Sequence, residues 1–462
     1  MAGHGTAHLR PGDTVLGIEH LVVEYPSQRG TVYAVSDVSF DLLDRETVGI
    51  VGESGCGKST TGKAIMRVPP PTSGTVRLNG VDMATLSHAE LRDARTKLQM
   101  IFQDAVSSLN PRRTIREIVG EPLMIRHLQA VPRSPVIRAW HWYVPRMLKF
   151  WRHRITSMVM PPLVGLFFVG LIVRVVATAL SSENAEGIRD GGAGAVIGNV
   201  IMVAALIVMI PFLVMFVGGA VIWLVLTILM PISAIPRWIK LRRARAAFER
   251  TTDDRVRQVL EDVGIDAEAA WNRRPHEFSG GQAQRISIAR ALILDPEVII
   301  CDEPVSALDV SVQAQVLNLL EDLKEKYGIS LVFIAHDLAV VKNVSDRVLV
   351  MYLGKVCEVA SPDDIFTRPR HPYTEILMNA IPVTDPAIDP RAAETIAGEL
   401  PSPLAPPSGC RFRTRCPRAQ DVCATTEPVL TDMGDGQFVA CHFPIDVAAV
   451  ASVGAGAGSA EP

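Results

Sequence analysis

The pattern of apolar and polar positions divides the 462-residue chain into two α/β segments with a long apolar stretch between them. Residues 15–122 show short β-rich runs, a glycine-rich turn and then a helical pattern, and the same texture returns over 253–365. In the second segment, 310–327 predicts an amphipathic helix. Three continuous apolar runs predict buried parallel strands, at 298–304, 329–337 and 346–354. Strands that alternate with helices indicate a parallel sheet covered on both faces.

The inserted segment, 123–252, contains two apolar stretches of membrane-spanning length, at about 155–180 and 195–235. A bilayer core of ~30 Å needs about 20 apolar residues to cross it. Arginines and lysines flank the pair on both outer sides, and the loop between the stretches is mildly acidic, so the positive-inside rule places both flanks in the cytosol. Two crossings, as a hydrophobic helical hairpin, are the simplest arrangement that returns the chain to one side. A buried hydrophobic hairpin in a soluble protein is the alternative.

Composition adds limits on the class of protein. The formal net charge of −3 gives no basis for nucleic-acid binding through bulk electrostatics. The first residues lack the basic start and apolar core of a secretory signal. Seven cysteines, an odd number, favour a reducing compartment over a disulfide framework, and four of them lie between 410 and 441. Residues 446–462 are a low-complexity tail of small residues that we expect to be disordered.

The sequence GESGCGKS at 52–59 matches the phosphate-binding P-loop pattern and stands between a predicted strand and a predicted helix. Lys58 supplies a cation for the β- and γ-phosphates of ATP, and Ser59 supplies a hydroxyl ligand for Mg²⁺. Three glycines let the backbone curl so that its N–H groups face the phosphates: Gly52, Gly55 and Gly57. The other nucleotide contacts predicted along this loop are Glu53, Ser54, Cys56 and Thr60.

Two acidic residues stand near the end of the apolar run at 298–304. Asp302, at the end of a buried strand, is expected to hold the Mg²⁺ shell, and Glu303 is expected to polarise the attacking water as general base. Paired acids after a strand also occur as a simple charge preference at a helix N-terminus. The P-loop in the same chain favours the nucleotide site.

Four further motifs stand in order along the chain: IFQD at 101–104, FSGGQAQR at 278–285, SALD at 306–309 and AHD at 335–337. Together with the P-loop and the acidic strand, they resemble the ATPase subunits of ABC transporters over about 15–122 and 253–365. Phe278 stands where leucine is commoner in that family. The resemblance implies an α/β fold, a P-loop ABC-type nucleotide-binding domain with a helical subdomain. Here the hydrophobic hairpin interrupts that domain and a small Cys-containing extension follows it.

The resemblance also assigns roles to single residues. A partner subunit's ATP would be contacted at its γ-phosphate by Ser279, Gly280, Gly281 and Gln282, an arrangement consistent with an anion site at the start of a helix. Gln103 would join the Mg²⁺ and water network, and His336 would contact the γ-phosphate as a catalytic residue beside Lys58 and Glu303. Asp309 would lie at the dimer seam. Tyr25 is expected to stack on adenine, with Tyr33 as the alternative.

The C-terminal segment, 366–445, is similar to the extension of oligopeptide and dipeptide importer ATPases, and more to the second ATPase of such pairs. The similarity lies in HPYTEILMNAIP at 371–382, GELPSPLAPPSGC at 398–410 and FRTRCP at 412–417. Four cysteines cluster there: Cys410, Cys416, Cys423 and Cys441. Four clustered thiols suggest a metal site, although the Cys-x2-Cys spacing typical of zinc ribbons is lacking. The resemblance implies a [4Fe–4S] cluster, and zinc or free thiols remain open.

The expected function is that of an ATPase motor. The resemblance implies two nucleotide domains that enclose ATP head to tail, two permease subunits and an extracytoplasmic solute-binding protein. The second ATPase subunit is either a different chain or another copy of this one. The expected location is the cytoplasmic face of the cell (inner) membrane, with the hairpin as an anchor that has no counterpart in the family pattern. Import of nickel or another small solute is the alternative, and a soluble ABC ATPase that acts on ribosomes or DNA is a rival class.

Overall fold

The residues described in the computed structural model are 6–10, 14–130, 247–380 and 399–446. Contacts divide the chain into two compact units, one of Met1–Ile125 with Thr251–Pro462 and the other of Arg126–Arg250. The second unit is described only at its two ends, where the rings of His127 and Phe248 stack with their centroids 3.8 Å apart.

The predicted membrane spans at about 155–180 and 195–235 lie outside the described residues, as does the predicted tail beyond residue 446. Among the residues that are described, no helix combines the length and the apolar composition needed to cross a bilayer. The hairpin therefore stays a prediction from the sequence.

Strands and helices of the described residues are numbered in chain order. The strands are β1 (Thr14–Ser27), β2 (Gly30–Leu43), β3 (Thr47–Val51), β4 (Ser73–Leu78), β5 (Val81–Asp82), β6 (Leu98–Ile101), β7 (Val298–Asp302), β8 (Ser330–Ile334), β9 (Arg347–Tyr352), β10 (Lys355–Ala360), β11 (Thr431–Asp432) and β12 (Phe438–Val439). The helices are α1 (Lys58–Ile65), α2 (His88–Lys97), α3 (Ala105–Ser108), α4 (Ile115–Ala130), α5 (247–262 as described), α6 (Ala267–Ala270), α7 (Gly280–Leu292), α8 (Val310–Tyr327), α9 (Leu338–Val344), α10 (Pro362–Thr367), α11 (Pro372–Asn379) and α12 (Val422–Thr425).

The larger sheet has the strand order β11-β12-β10-β9-β3-β8-β7-β6. Its central strands β9, β3, β8, β7 and β6 pair in parallel, and β10, β12 and β11 add an antiparallel edge. A smaller antiparallel sheet has the order β2-β1-β4-β5. The parallel strands place all of their carboxyl ends at one edge, where loops of open α/β sheets bind ligands.

The predicted elements of the second α/β segment match the structure closely. The helix predicted over 310–327 is α8, which ends where Gly328 takes a left-handed conformation with φ of 63°. The runs predicted as strands are confirmed as strands that end earlier. The reason is that residues 303–304 and 335–337 already belong to the loops at the carboxyl edge, although they continue an apolar run or follow one directly.

Apolar side chains on the two faces of the larger sheet form two cores. Ile50, Ile300 and Ile334 pack with β1, β2 and β4 of the smaller sheet, whereas Val51 and Phe333 pack with helices α4, α5, α7 and α8. The parallel strands β3, β7 and β8 are buried along their whole length, as the continuous apolar runs predict. Because these strands are buried on both faces, their carboxyl ends, from which the loops of the site emerge, are held in a fixed position.

The C-terminal extension joins the same unit through a buried carboxylate. Glu358 of β10 is fully buried and accepts hydrogen bonds from the backbone N–H groups of Arg370 and His371 and from Gln437 Nε2, at 2.8–3.0 Å. Burial raises the pKa of the Glu358 carboxyl, against the effect of these donors. The donors hold the start of α11 on the antiparallel edge of the sheet.

Candidate nucleotide-binding site

The P-loop lies between the carboxyl end of β3 and the first turn of α1. Gly52, Gly55 and Gly57 have φ values of 152°, 82° and 105°, which side chains other than glycine rarely adopt. A Cβ atom on Gly52 would lie 2.1 Å from the carbonyl oxygen of Met351, and one on Gly57 would lie 2.3 Å from that of Ala34. Because Gly57 caps α1 without a side-chain acceptor, the first N–H groups of the helix face the loop as an anion site.

Lys58 and Ser59 open α1 and contact different parts of the site. The Lys58 side chain is buried, and its Nζ donates to the carbonyl oxygens of Gly52 at 2.7 Å and Glu53 at 3.1 Å. The Ser59 hydroxyl donates to Asp302 Oδ1 at 2.6 Å. This bond joins the P-loop to the acidic end of β7, so the two halves of the predicted nucleotide site meet.

The carboxyl ends of four parallel strands bring the other predicted polar residues to the same edge. Gln103 follows β6, Glu303 follows β7 and His336 follows β8, while β3 carries the P-loop. Gln103 Nε2 donates to Glu303 Oε2 at 2.7 Å, and His336 Nδ1 lies 3.5 Å from the same oxygen. The Glu303 carboxylate therefore stands between an amide and an imidazole.

The backbone of Glu303 adopts φ of 48°, an unusual value for a residue with a side chain. Its N–H donates to the carbonyl oxygen of Ile334 at 2.9 Å, which holds this conformation against β8. A cavity lies beside it, lined by Glu303, Ser306, Gln313, Ala335, His336 and Asp337 among others. Strained backbone next to a cavity is common where side chains must be aimed at a ligand.

Asp302 differs from its neighbour in burial. The residue is 3% exposed, and burial raises the pKa of its carboxyl, although the Ser59 hydroxyl and the charges of Lys63 and Lys58 act in the opposite direction. A buried carboxylate of this kind is stabilised by a cation that reaches it. With the Ser59 hydroxyl it offers two oxygen ligands of the type that Mg²⁺ binds.

The turn at 279–282 begins α7 and is stabilised locally. Ser279 caps the helix, its hydroxyl accepts from the N–H of Gln282, and the Gln282 side chain accepts from the N–H of Ser279. A Cβ atom on Gly281 would lie 2.4 Å from Val312 Cγ1, so α7 and α8 approach closely here. Ser279, Gly280, Gln282 and, at the start of α8, Asp309 are exposed. Among the described residues, no hydrogen bond or ion pair joins this turn to the P-loop.

Comparison with known proteins places this geometry in a family. The ABC transporter family profile matches residues 35–306. A putative peptide import ATP-binding protein of Brucella ovis is 38% identical over 428 residues, which cover 92% of this chain and 97% of that protein. The chain belongs to the ABC transporter family.

Two further sequence matches agree with this membership. The oligopeptide transport ATP-binding protein OppF of Salmonella typhimurium is 39% identical over 87% of this chain and 85% of that protein. The profile of the oligopeptide/dipeptide transporter C-terminal region matches residues 357–423. A dimeric post-hydrolysis structure of the ATP-binding cassette MJ0796 covers 75% of this chain at 20% identity, with a TM-score of 0.44. The chain is an ATPase of the ABC transporter family.

The two tyrosines predicted for adenine lie on the β1–β2 hairpin of this ABC ATPase. Tyr25 is partly buried and packs against the core that includes Cys56 of the P-loop. Tyr33 is 36% exposed, and its N–H donates to the carbonyl oxygen of Pro403 at 3.0 Å. Tyr33 therefore has the more exposed ring, next to a loop of the C-terminal extension.

The C-terminal extension supports the P-loop through contacts that local sequence patterns do not predict. The N–H of Glu53 donates to the Tyr373 hydroxyl at 2.9 Å. Arg415 Nη1 donates to both carboxylate oxygens of Glu53, at 3.1 and 2.9 Å. A Cβ atom on Gly55 would lie 3.8 Å from Leu400 Cδ2. Both motifs that carry Tyr373 and Arg415 were visible in the sequence, but nothing in their spacing predicts a partner more than 300 residues away.

The four clustered cysteines line one cavity of the extension, together with His371 and His442. The backbone N–H of Phe443 donates to Cys441 Sγ at 3.4 Å. Burial raises the pKa of the Cys441 thiol to about 11. All seven cysteines lie in described residues and are free thiols.

The predicted cluster ligands Cys410, Cys416, Cys423 and Cys441 do not form a metal site as they are placed. No group of three or more His, Cys, Asp or Glu side chains within the described residues is arranged to hold a metal ion. The four thiols line one cavity. Four thiols are chemically suited to a [4Fe–4S] cluster, but in this structure they are not arranged as a metal site.

Proposed function

We propose that this chain energises the import of oligopeptides or dipeptides by binding and hydrolysing ATP. The observation that supports the substrate class is the match of residues 357–423 to the oligopeptide/dipeptide transporter C-terminal region. Two residues of that segment, Tyr373 and Arg415, contact Glu53 of the P-loop. The names of the relatives, peptide import and oligopeptide transport ATP-binding proteins, agree with it.

ATP is proposed to lie with its phosphates in the P-loop. The unpaired N–H groups at the start of α1 and the Lys58 ammonium would bind the β- and γ-phosphates. Mg²⁺ would be held by the Ser59 hydroxyl and Asp302, which are already joined at 2.6 Å, and would offset the charge that develops on the phosphates. Gln103 would complete the network through its bond to Glu303.

Glu303 is the proposed general base. Its carboxylate is held by Gln103 at 2.7 Å and lies 3.5 Å from His336, so it is oriented before a water molecule arrives. The carboxylate takes a proton from water as the water oxygen attacks the γ-phosphorus and the bond to the β-phosphate oxygen breaks. His336 would contact the γ-phosphate, where a donor stabilises negative charge.

A second ATPase subunit is proposed to complete the site. Ser279, Gly280, Gln282 and Asp309 are exposed and lie at the starts of α7 and α8, which pack closely against each other. An exposed, capped helix start with a Ser-Gly-Gly turn is suited to the γ-phosphate of ATP on another subunit. Tyr25 remains the proposed partner of the adenine ring, and the exposed ring of Tyr33 supports the alternative.

The inserted segment is proposed to anchor the ATPase beside its permease partners as a hydrophobic hairpin. The support is the uncharged length of the stretches at about 155–180 and 195–235 and the basic residues that flank them. Carbonate extraction of membranes separates the possibilities, because release of the chain to the supernatant contradicts a spanning hairpin.

The four cysteines are proposed to hold a [4Fe–4S] cluster. The support is the shared cavity and the N–H of Phe443 that donates to Cys441 Sγ, since such donors stabilise thiolates. Four thiolates are the ligand number that such a cluster needs. Anaerobic purification followed by iron, sulfide and zinc assays decides it, and a colourless, iron-free protein with full ATPase activity contradicts the cluster.

The peptide assignment is tested by purifying the tagged chain from membranes with its partners. We expect two permeases and a second ATPase to copurify, and an extracytoplasmic binding protein to stimulate ATP hydrolysis when it carries an oligopeptide. Reconstituted vesicles should take up that peptide only with ATP on the side of the ATPase. Stimulation by nickel or another small solute instead of peptide contradicts the substrate class and leaves the ATPase assignment intact.

A further inference from the structure

A carboxylate inside the P-loop poses an electrostatic problem. Glu53 is the second residue of the loop, and a negative charge there would repel the phosphates of ATP. Its side chain is 21% exposed, so water screens it only in part. A loop that binds a polyanion and carries a carboxylate requires a nearby positive charge to offset the repulsion.

Arg415 supplies that charge from the C-terminal extension. Its side chain is 8% exposed and donates to both oxygens of Glu53, at 3.1 and 2.9 Å. The guanidinium also lies over the ring of Tyr352, with its carbon 5.8 Å from the ring centroid, and donates to the Tyr352 hydroxyl at 3.4 Å. The guanidinium is thus fixed from two sides, by Glu53 of the P-loop and by Tyr352 at the end of β9.

A packed group of aromatic side chains fixes the position of Arg415 relative to the P-loop. Tyr352, Tyr373 and Phe412 contact one another, with ring centroids 4.8–5.3 Å apart, and each is at most 1% exposed. From this group the Tyr373 hydroxyl accepts the N–H of Glu53 at 2.9 Å. Both the side chain and the backbone of Glu53 are therefore fixed by residues that come more than 300 positions later.

We propose that Arg415 is a positioning residue for nucleotide binding, which neutralises Glu53 and fixes the P-loop so that the loop accepts the triphosphate of ATP. The extension then acts on the affinity of the ATP site without contacting ATP. This inference rests on the proposal that ATP binds in the P-loop. It goes beyond that proposal because it assigns part of the binding free energy to a residue outside the nucleotide-binding domain.

The test is a charge cycle measured with a fluorescent ATP analogue on the full-length protein. Arg415→Gln exposes the phosphates to an uncompensated charge on Glu53, and we expect ATP affinity to fall about five- to tenfold, the effect of one partly screened unit charge several ångströms away. The loss should shrink at high ionic strength. In the steady state, KM should rise while kcat is unchanged, because the lost interaction acts equally on ground state and transition state.

Two further variants separate charge from simple loss of structure. Glu53→Gln alone should bind ATP more tightly than the wild type, because the charge of Arg415 is then not offset, and Glu53→Gln with Arg415→Gln should return to within about twofold of the wild type. Arg415→Lys should retain most of the affinity. A loss in Arg415→Gln that persists in the double variant and does not depend on salt overturns the proposal, because it indicates that the residue only holds the extension in place.

Two controls complete the experiment. Arg368→Gln removes a surface arginine of the same extension that pairs with Asp364, and it should leave ATP affinity unchanged. Lys58→Ala tests the underlying site: ATP binding equal to the wild type would contradict the P-loop assignment itself. If Lys58→Ala fails to bind ATP and Arg415→Gln binds it normally, only the role of Arg415 is refuted.

Discussion

The carboxyl edge of the parallel strands and the aromatic group of the extension are built in opposite ways. At the edge, Gln103 and His336 are exposed and Glu303 has a strained backbone. In the extension, Tyr373 and Phe412 are buried completely and pack against each other at 5.3 Å. The edge leaves polar groups available to bind a ligand, whereas the aromatic side chains of the extension pack only against one another and their neighbours.

The difference separates two tasks that a single site often combines. Residues that act on a ligand cannot satisfy one another fully, so they contribute little to the stability of the fold or even reduce it. Residues that fix a loop can be packed as tightly as a core. The P-loop lies between the two regions, and Glu53 contacts the closed one.

The contrast between the polar edge and the packed extension would be contradicted most directly if Glu303 could be changed without loss of ATP turnover. Glu303→Gln removes the proposed base and keeps the shape of the side chain, so we expect ATP hydrolysis to fall by about 10²–10⁴-fold. ATP binding and the melting temperature should stay near those of the wild type. Glu297→Gln is a matched control, since Glu297 precedes the same strand and pairs with Lys97 away from the edge. Hydrolysis at the wild-type rate would place the base elsewhere.

The second prediction concerns the closed region. Phe412→Ala leaves a cavity between Tyr352 and Tyr373, and we expect the free energy of unfolding to fall by about 3–5 kcal/mol. Urea unfolding of the nucleotide-free protein measures it. Phe102→Ala is the counterpart at the open edge, where Phe102 is 44% exposed, and it should change stability by less than about 1 kcal/mol. Equal losses in the two variants would contradict the distinction.

Ser59→Ala sharpens the comparison at the metal ligands. The change removes the hydroxyl that donates to Asp302, and we expect ATP affinity in the presence of Mg²⁺ to fall about tenfold, the value of one hydrogen bond or ligand at a charged group. Titrations with and without Mg²⁺ measure it. Ser59→Thr keeps the hydroxyl and should retain binding, and an equal loss without Mg²⁺ would show that the hydroxyl does not act through the metal.

The smallest expected effect is an increase, rather than a decrease, in the stability of the nucleotide-free protein. Burial raises the pKa of the Asp302 carboxyl in the folded state, so the charged carboxylate is disfavoured there. The folded protein is therefore most stable when the carboxyl is protonated, and it loses stability as the pH rises through the folded pKa. Asp302→Asn should therefore stabilise the nucleotide-free protein slightly at neutral pH while Mg²⁺-dependent ATP binding falls. The gain should vanish below the unfolded pKa of about 3.9, where the wild-type carboxyl is neutral in both states.

Local features of the sequence predicted one region far better than the other. The P-loop, the acids after β7 and the helix over Val310–Tyr327 follow from glycine spacing and apolar periodicity, which act over a few residues. The convergence of Gln103, Glu303 and His336 follows from parallel strands whose ends share one edge.

The support of the P-loop by the extension could not be predicted in the same way. Arg415 and Glu53 are ion-pair partners only because β9 and β10 place the extension behind the loop, and no periodicity encodes that placement. The cysteine cluster stays a prediction for a related reason. Spacing along the chain brings four cysteines into one short segment, and the fold places them around one cavity, but neither spacing nor periodicity determines which metal, if any, they bind.

The contact between Glu53 and Arg415 also sets an order of events during synthesis. The two residues are 362 positions apart, and ribosomes add about 5–20 residues per second, so the loop waits on the order of 20–70 s for its partner. β3, which leads into the loop, pairs with β8 and β9, and these strands also emerge late. A nascent or truncated chain that stops before residue 415 therefore carries every P-loop residue without the contact from Arg415, so we expect it to bind ATP more weakly than the finished chain.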